Sequence, residues 1–173
     1  GGNVDLNNTV AQIDLSGTTD TNTISASGSV ELANVVDTGT TTATSPVELV
    51  VTAGTGVTLG TVTLSNTLDV DFDTATGTST LNAGSLSAGT IEVDGVGTND
   101  VMNFGSTVVS TVAGVTIGNA GTVDLDGDVT GATTVTISDV GTEIDLAAGV
   151  DITASGGNVD LNNTVAQIDL SGT

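Results

Sequence analysis

The chain contains no Lys, no Arg and no His against 21 acidic residues, so its formal net charge is −21. Binding nucleic acid by counterion release needs cationic side chains, and there are none to supply it. Attraction to anionic lipid headgroups fails for the same reason. Neither nucleic acid nor an anionic membrane surface is expected as a partner. Without imidazole, amine or thiol, general acid–base and covalent catalysis lose their usual groups. A carboxylate pair of the glycosidase type remains chemically conceivable. Sugar-binding clefts, however, lean on aromatic platforms, and the only aromatics are Phe72 and Phe104. No enzymatic activity is expected, and a β-helical polysaccharide lyase would need basic residues that are missing.

The absence of Cys rules out disulfides and leaves redox compartment unread. A chain with no site for trypsin-like proteases and one Met to oxidise fits a long-lived, protease-exposed exterior. No charged-then-apolar leader and no run of eighteen apolar residues occurs. Aromatic scarcity beside abundant Val, Ile and Leu argues for a narrow, aliphatic core rather than for disorder.

What is present is repetition. Gly1–Thr18 reads GGNVDLNNTVAQIDLSGT, and Gly156–Thr173 reads the same. The sequence therefore has a period of 155 residues: residues 1–155 are one full repeat and 156–173 begin the next. Leaving out Asp160 and Asp169, one period carries −19.

Within the period a smaller unit recurs, apolar–polar–apolar, bounded by Gly, Ser, Thr or Asn. Examples are Val4-Asp5-Leu6, Val30-Glu31-Leu32, Leu68-Asp69-Val70, Ile91-Glu92-Val93, Val123-Asp124-Leu125, Ile144-Asp145-Leu146 and Val150-Asp151-Ile152. Alternation of period two puts the outer pair on one face and the acid on the other, facing water. Strands this short, with Gly at corners that take φ > 0, fit a right-handed parallel β-solenoid. Coils of ~20–25 residues would place about seven in a period, rising roughly 34 Å at strand spacing. Residues 37–46, ending at Pro46, read as an outward loop or widened corner. Tandem β-sandwich modules are the alternative, but they want ~100 residues and strands of five to six.

The run Val123–Asn163, VDLDGDVTGATTVTISDVGTEIDLAAGVDITASGGNVDLNN, resembles the repeats of filamentous-haemagglutinin-type and autotransporter-type bacterial surface proteins. That resemblance implies a secreted, very long β-solenoid engaged in adhesion, surface coating or contact. The expectation is thus a structural extracellular filament or cell-surface fibre of repeats stacked end to end. The partner would be the chain itself, through axial continuation and through divalent cations bundling fibres that otherwise repel. An adhesin stalk with an acidic, cation-dependent surface is the alternative. Covalent tandem repeats and stacked separate subunits both remain open.

Two acidic clusters are candidate Ca²⁺ sites: Asp69, Asp71, Asp73 and Asp124, Asp126, Asp128. On an extended strand i, i+2 and i+4 share a face, and hard cations accept such oxygens. The second cluster departs from an EF-hand start, its glycine two residues early and no Glu at the twelfth position. A diffuse acidic face that attracts divalent ions loosely is the competing reading, with no tightly held cofactor. Asn3, Asn7, Asn8 and their copies Asn158, Asn162 and Asn163 suit either left-handed corners or stacked amide ladders. Asn7-Asn8-Thr9 is a glycosylation sequon. Thr61-Val62-Thr63 and Thr133-Thr134-Val135-Thr136 superficially resemble threonine arrays of ice-binding solenoids, though exposed β-former is the ordinary role.

Overall fold

The structure, a computed structural model, describes residues 2–7, 12–15, 21–37, 48–73, 77–161 and 167–169. Every regular element among them is a β-strand, and every strand pairs in parallel with strands one coil away. Three sheets of eight, seven and seven strands result, called here faces A, B and C. The chain visits A, B and C in turn and then starts a new coil, a parallel β-solenoid.

Coil 1 consists of Val4–Leu6, Gln12–Asp14 and Thr21–Ala26, and coil 2 of Ser29–Leu32, Asn34–Val36 and Glu48–Ala53. Coil 3 follows with Gly56–Leu59, Val62–Thr63 and Thr67–Phe72, and coil 4 with Thr80–Ala83, Leu86–Ala88 and Thr90–Asp94. Coil 5 uses Val101–Phe104, Val108–Ser110 and Val115–Gly118, and coil 6 uses Thr122–Leu125, Val129–Gly131 and Val135–Ser138. Coil 7 contains Glu143–Leu146, Ile152–Ala154 and Val159–Asp160, and Gln167–Asp169 opens an eighth on face A.

Stacked face-A positions are Val4, Val30, Val57, Leu81, Met102, Val123, Ile144 and Ile168. The numbering between them shows that coils differ in length. Coil 2 is the longest, coils 4, 5 and 6 are the shortest and equal, and coils 3 and 7 fall between. One period, from Val4 on face A to Val159 on face C, spans six coils and two strands of a seventh. The expected widened corner lies in coil 2, but residues 38–46 are outside the described residues.

The core is a column of aliphatic ladders. Leu68, Ile91, Val115 and Val135 stack on face C and are fully buried. On face B, Val35, Val62, Leu86, Val108 and Val129 do the same. Each such side chain stabilises the fold by ~1.5–3 kcal/mol through removal from water. Each of the two aromatics has a small ladder neighbour in the preceding coil. Phe72 stacks on Ala53, and Phe104 lies beside Ala83, so a large ring in one coil meets a methyl in the next. The second inward position of face B obeys the same logic. It is Leu64 in coil 3 and becomes Ala88, Ser110 and Gly131 in the three shortest coils, 4 to 6. The Ser110 hydroxyl, buried there, donates to the Gly89 carbonyl at 2.6 Å.

Glycine serves a different purpose from the expected one. Among the described glycines only Gly77 and Gly149 have left-handed φ, at 124° and 81°. At corners such as Gly60 the need is close approach, since a Cβ there would stand 2.1 Å from the Ala33 carbonyl oxygen of the coil beside it. Two further left-handed corners fall instead to Asn119 (φ 53°) and Asp139 (φ 56°). Val150-Asp151-Ile152 also differs from expectation. Its strand begins only at Ile152, because the Val150 amide donates to the Ala147 carbonyl in a turn.

Candidate functional site

Charge is unevenly distributed over the three faces. The outward column of face A reads Asp5, Glu31, Thr58, Asn82, Asn103, Asp124, Asp145, Asp169 from one end to the other. From coil 2 onward face B presents Val36, Thr63, Ser87, Val109, Thr130 and Thr153, with no charge. Face C gathers the densest group. There Asp69 stacks on Glu92 and Asp71 on Asp94, two carboxylates from each of coils 3 and 4. Adjacent parallel strands are about 4.8 Å apart and outward residues within a strand about 6.6 Å, so these four acids form a compact rectangle.

The rectangle borders a shallow groove of about 330 Å³ lined by Asp69, Asp71, Glu92, Val93, Asp94 and Thr116. One edge has a neutral anchor among the described residues: the Asn119 side-chain amide donates to Asp94 Oδ1 at 2.7 Å. Partial burial pushes the Asp69 carboxyl up to about 6 from its usual 3.8, and the charges of Asp71, Glu92, Glu48 and Asp94 push it in the same direction. Asp71 is raised by burial and by Asp94. On face A, Asp124 is raised by burial, then by Asp126 and Asp145.

The folded chain thus takes up protons at Asp69 before the unfolded chain does. The sign follows directly: stability increases as pH falls through about 6 toward 4, because protonation relieves the cost of holding a partly buried charge among like charges, a cost the unfolded chain does not bear. After screening at this partly exposed site the gain is expected at about 1 kcal/mol. Thermal melts from pH 7.5 down to 5.5 should show Tm rising, and Ca²⁺ at pH 7.5 should raise it likewise. Asp69→Asn should raise Tm at pH 7.5 and flatten both responses. A Tm that falls over this pH interval would contradict the assignment.

The structure reorganises both candidate clusters. Asp69 and Asp71 line the groove, whereas Asp73 lies past the end of its strand and borders a different depression with Gly2, Asn3, Ser25 and Thr52. Asp124 is on face A, Asp126 is exposed in the corner that follows, and Asp128 immediately precedes the face-B strand. Asp128 Oδ1 is engaged by the Asp151 amide at 2.9 Å. Neither i, i+2, i+4 set shares one face, because each runs past a short outward segment into a corner. Among the described residues, no group of three or more acids is placed to hold a metal ion. Glu92 and Asp94, absent from the sequence-based candidates, complete the most compact acidic group among the described residues.

The amides divide between two roles. Asn3 bridges coils at a corner, its Oδ1 accepting the Ser29 amide at 3.1 Å. A side-chain amide ladder occurs elsewhere, Asn103 Nδ2 donating to Asn82 Oδ1 at 2.9 Å. In the sequon, the exposed Asn7 donates its backbone N–H to Asp5 Oδ1 at 3.0 Å, while Asn8 and Thr9 lie outside the described residues, as do Asn162 and Asn163. The Thr tracts form no common lattice: Thr63 is on face B, Thr136 on face C, and Thr133 and Thr134 in the corner between. One carboxyl that the sequence did not single out is fully engaged inside. Asp100, 2 % exposed, accepts the Ser79 amide at 2.8 Å, the Val96 amide at 2.8 Å and the Gly97 amide at 3.3 Å.

No family model, curated protein or solved structure matches this chain.

Proposed function

We propose that this chain is a segment of a structural extracellular filament, sheath or surface fibre built from tandem 155-residue repeats. One observation carries the reading. The repeated segment seats its apolar residues in register at both ends of the stack: Val4 on Val30, and its copy Val159 on Val135. Leu6, Val159 and Ile168, in the outermost coils, are 46 %, 42 % and 44 % exposed, while their ladder neighbours Leu32, Val135 and Ile144 are buried. On this reading the work is mechanical. Backbone hydrogen bonds run along the axis, aliphatic stacks hold successive coils, and the carboxylates of faces A and C keep neighbouring fibres apart.

The test is the mass of native material after complete denaturation. Hundreds of kilodaltons is the expected result for covalent tandem repeats. A single band at 16.7 kDa, the mass of this chain alone, would overturn tandem joining.

A second reading, an adhesin stalk with a cation-dependent acidic surface, is favoured by the carboxylate rectangle on face C. Its partner would be a cationic or calcium-bearing surface, with Ca²⁺ held loosely between carboxylates. Calcium-dependent bundling or mineral binding, reversed by chelator and lost in Asp71→Asn/Asp94→Asn, separates this reading from an inert coat.

A further inference from the structure

The two copies of the repeated segment are on different faces. Val4 belongs to face A, and its copy Val159, one period later, belongs to face C. Ile13 belongs to face B, and its copy Ile168 to face A. Both shifts have the same sense and size, one face backwards. The cause is a count: among the described residues the strand of Val4 is first and that of Val159 is twenty-first, so one period contributes twenty strands to a three-faced solenoid. Twenty is not a multiple of three.

The inward register survives the change. Val4 stacks on Val30 and Ile13 on Val35 in one setting, Val159 on Val135 and Ile168 on Ile144 in the other. A short strand with apolar residues inward and an acid outward fits any face, because all three cores are aliphatic ladders of the same spacing.

We propose, on the tandem-repeat reading above, that successive repeats are turned by one face about the fibre axis, giving a threefold screw. Each repeat advances by six and two-thirds coils, about 32 Å at about 4.8 Å per coil, and rotates by about 120°. The pattern returns to its starting face after three periods and twenty coils, or about 96 Å. The uncharged strip that runs along face B passes to face A in the next repeat and to face C in the one after. No side of the fibre is then neutral for more than about 32 Å, and every side carries acids of the face-A and face-C type in turn. The second copy of the chain that each repeat accepts at its end is therefore one rotated by a third of a turn.

The chain itself permits the test, since it has no native Cys to interfere. Asp160 is in register with Thr136 on face C, whereas a period of whole coils would place it on face A beside Asp145, as Asp169 is. Registered neighbours in adjacent parallel strands lie within disulfide range of one another. Under mild oxidation Thr136→Cys/Asp160→Cys is expected to close an intramolecular disulfide at least tenfold faster than Asp145→Cys/Asp160→Cys. The reverse order, or closure of neither pair, would overturn the proposal. A denatured native mass of only 16.7 kDa would defeat the tandem reading without touching the cross-linking result, so the two can fail separately.

Discussion

Ile144→Asp is expected to unravel one end of the solenoid and leave the other intact. Ile144 is fully buried between Val123 and Ile168 in the face-A ladder. A carboxylate there has no donor or cation to meet, in a protein with no Lys, Arg or His at all. A buried unpaired charge belongs among the severest single changes, and a cost above about 4 kcal/mol is expected. Solenoid contacts run only to adjacent coils, so the damage should remain near coils 6 and 7. Amide exchange would read it directly: protection lost over Thr122–Leu125 and Glu143–Leu146, and retained over Glu48–Ala53 and Thr67–Phe72. Uniform loss of protection in one cooperative step would mean the coils are coupled more tightly than stacking alone provides.

Asp100→Ala attacks a corner rather than a ladder. The Asp100 side chain gathers three amides from Ser79, Val96 and Gly97, and its own carbonyl accepts the amides of Gly121 and Thr122 from the next coil. Truncation removes the acceptor of three N–H groups, that of Ser79 buried and those of Val96 and Gly97 part-buried, and the buried one alone costs about 1–3 kcal/mol when left unpaired. A loss of about 3 kcal/mol or more is expected in denaturant titrations, with little change in the slope of the transition. Asp100→Asn should be nearly as harmful, because its amide nitrogen would face donors. A loss below about 1 kcal/mol would show that water replaces the carboxyl at this corner.

These two residues differ in how openly the sequence announced them. Ile144 stands in Ile144-Asp145-Leu146, where alternation alone separates inside from outside. Asp100 follows Gly97-Thr98-Asn99, an ordinary polar turn, and nothing local tells a solvated acid from one that receives three amides. The same limit governs the acidic rectangle. Asp69 and Asp71 are neighbours on one strand, but Glu92 and Asp94 join them from the following coil, at a separation set by the length of that particular coil. Coil lengths were hidden because several strands lack a large apolar residue at one inward position. Leu86-Ser87-Ala88, Val108-Val109-Ser110 and Val129-Thr130-Gly131 place a methyl, a hydroxyl and no side chain where Leu64 was. Dividing the period by a coil of ~20–25 residues gives the right fold with the coil count rounded up, and the remainder is the part that sets the face on which the next period starts. The residues of the outward triads failed as sets for a similar reason, since strand length, not alternation, decides where a face ends.

Coil length itself leaves a mark on anything built from this unit. Every coil advances by the same strand spacing, but coil 2, from Val30 to Val57, packs more chain into that advance than coils 4 to 6 do. Matter per unit length therefore swells and thins by roughly a quarter within each period, while the pitch of the backbone stays constant. In a tandem fibre this is a density wave independent of charge, stain or bound ions. It would diffract along the meridian near about 32 Å, beside the strand reflection near about 4.8 Å. The fibre is graduated along its length by its own chain.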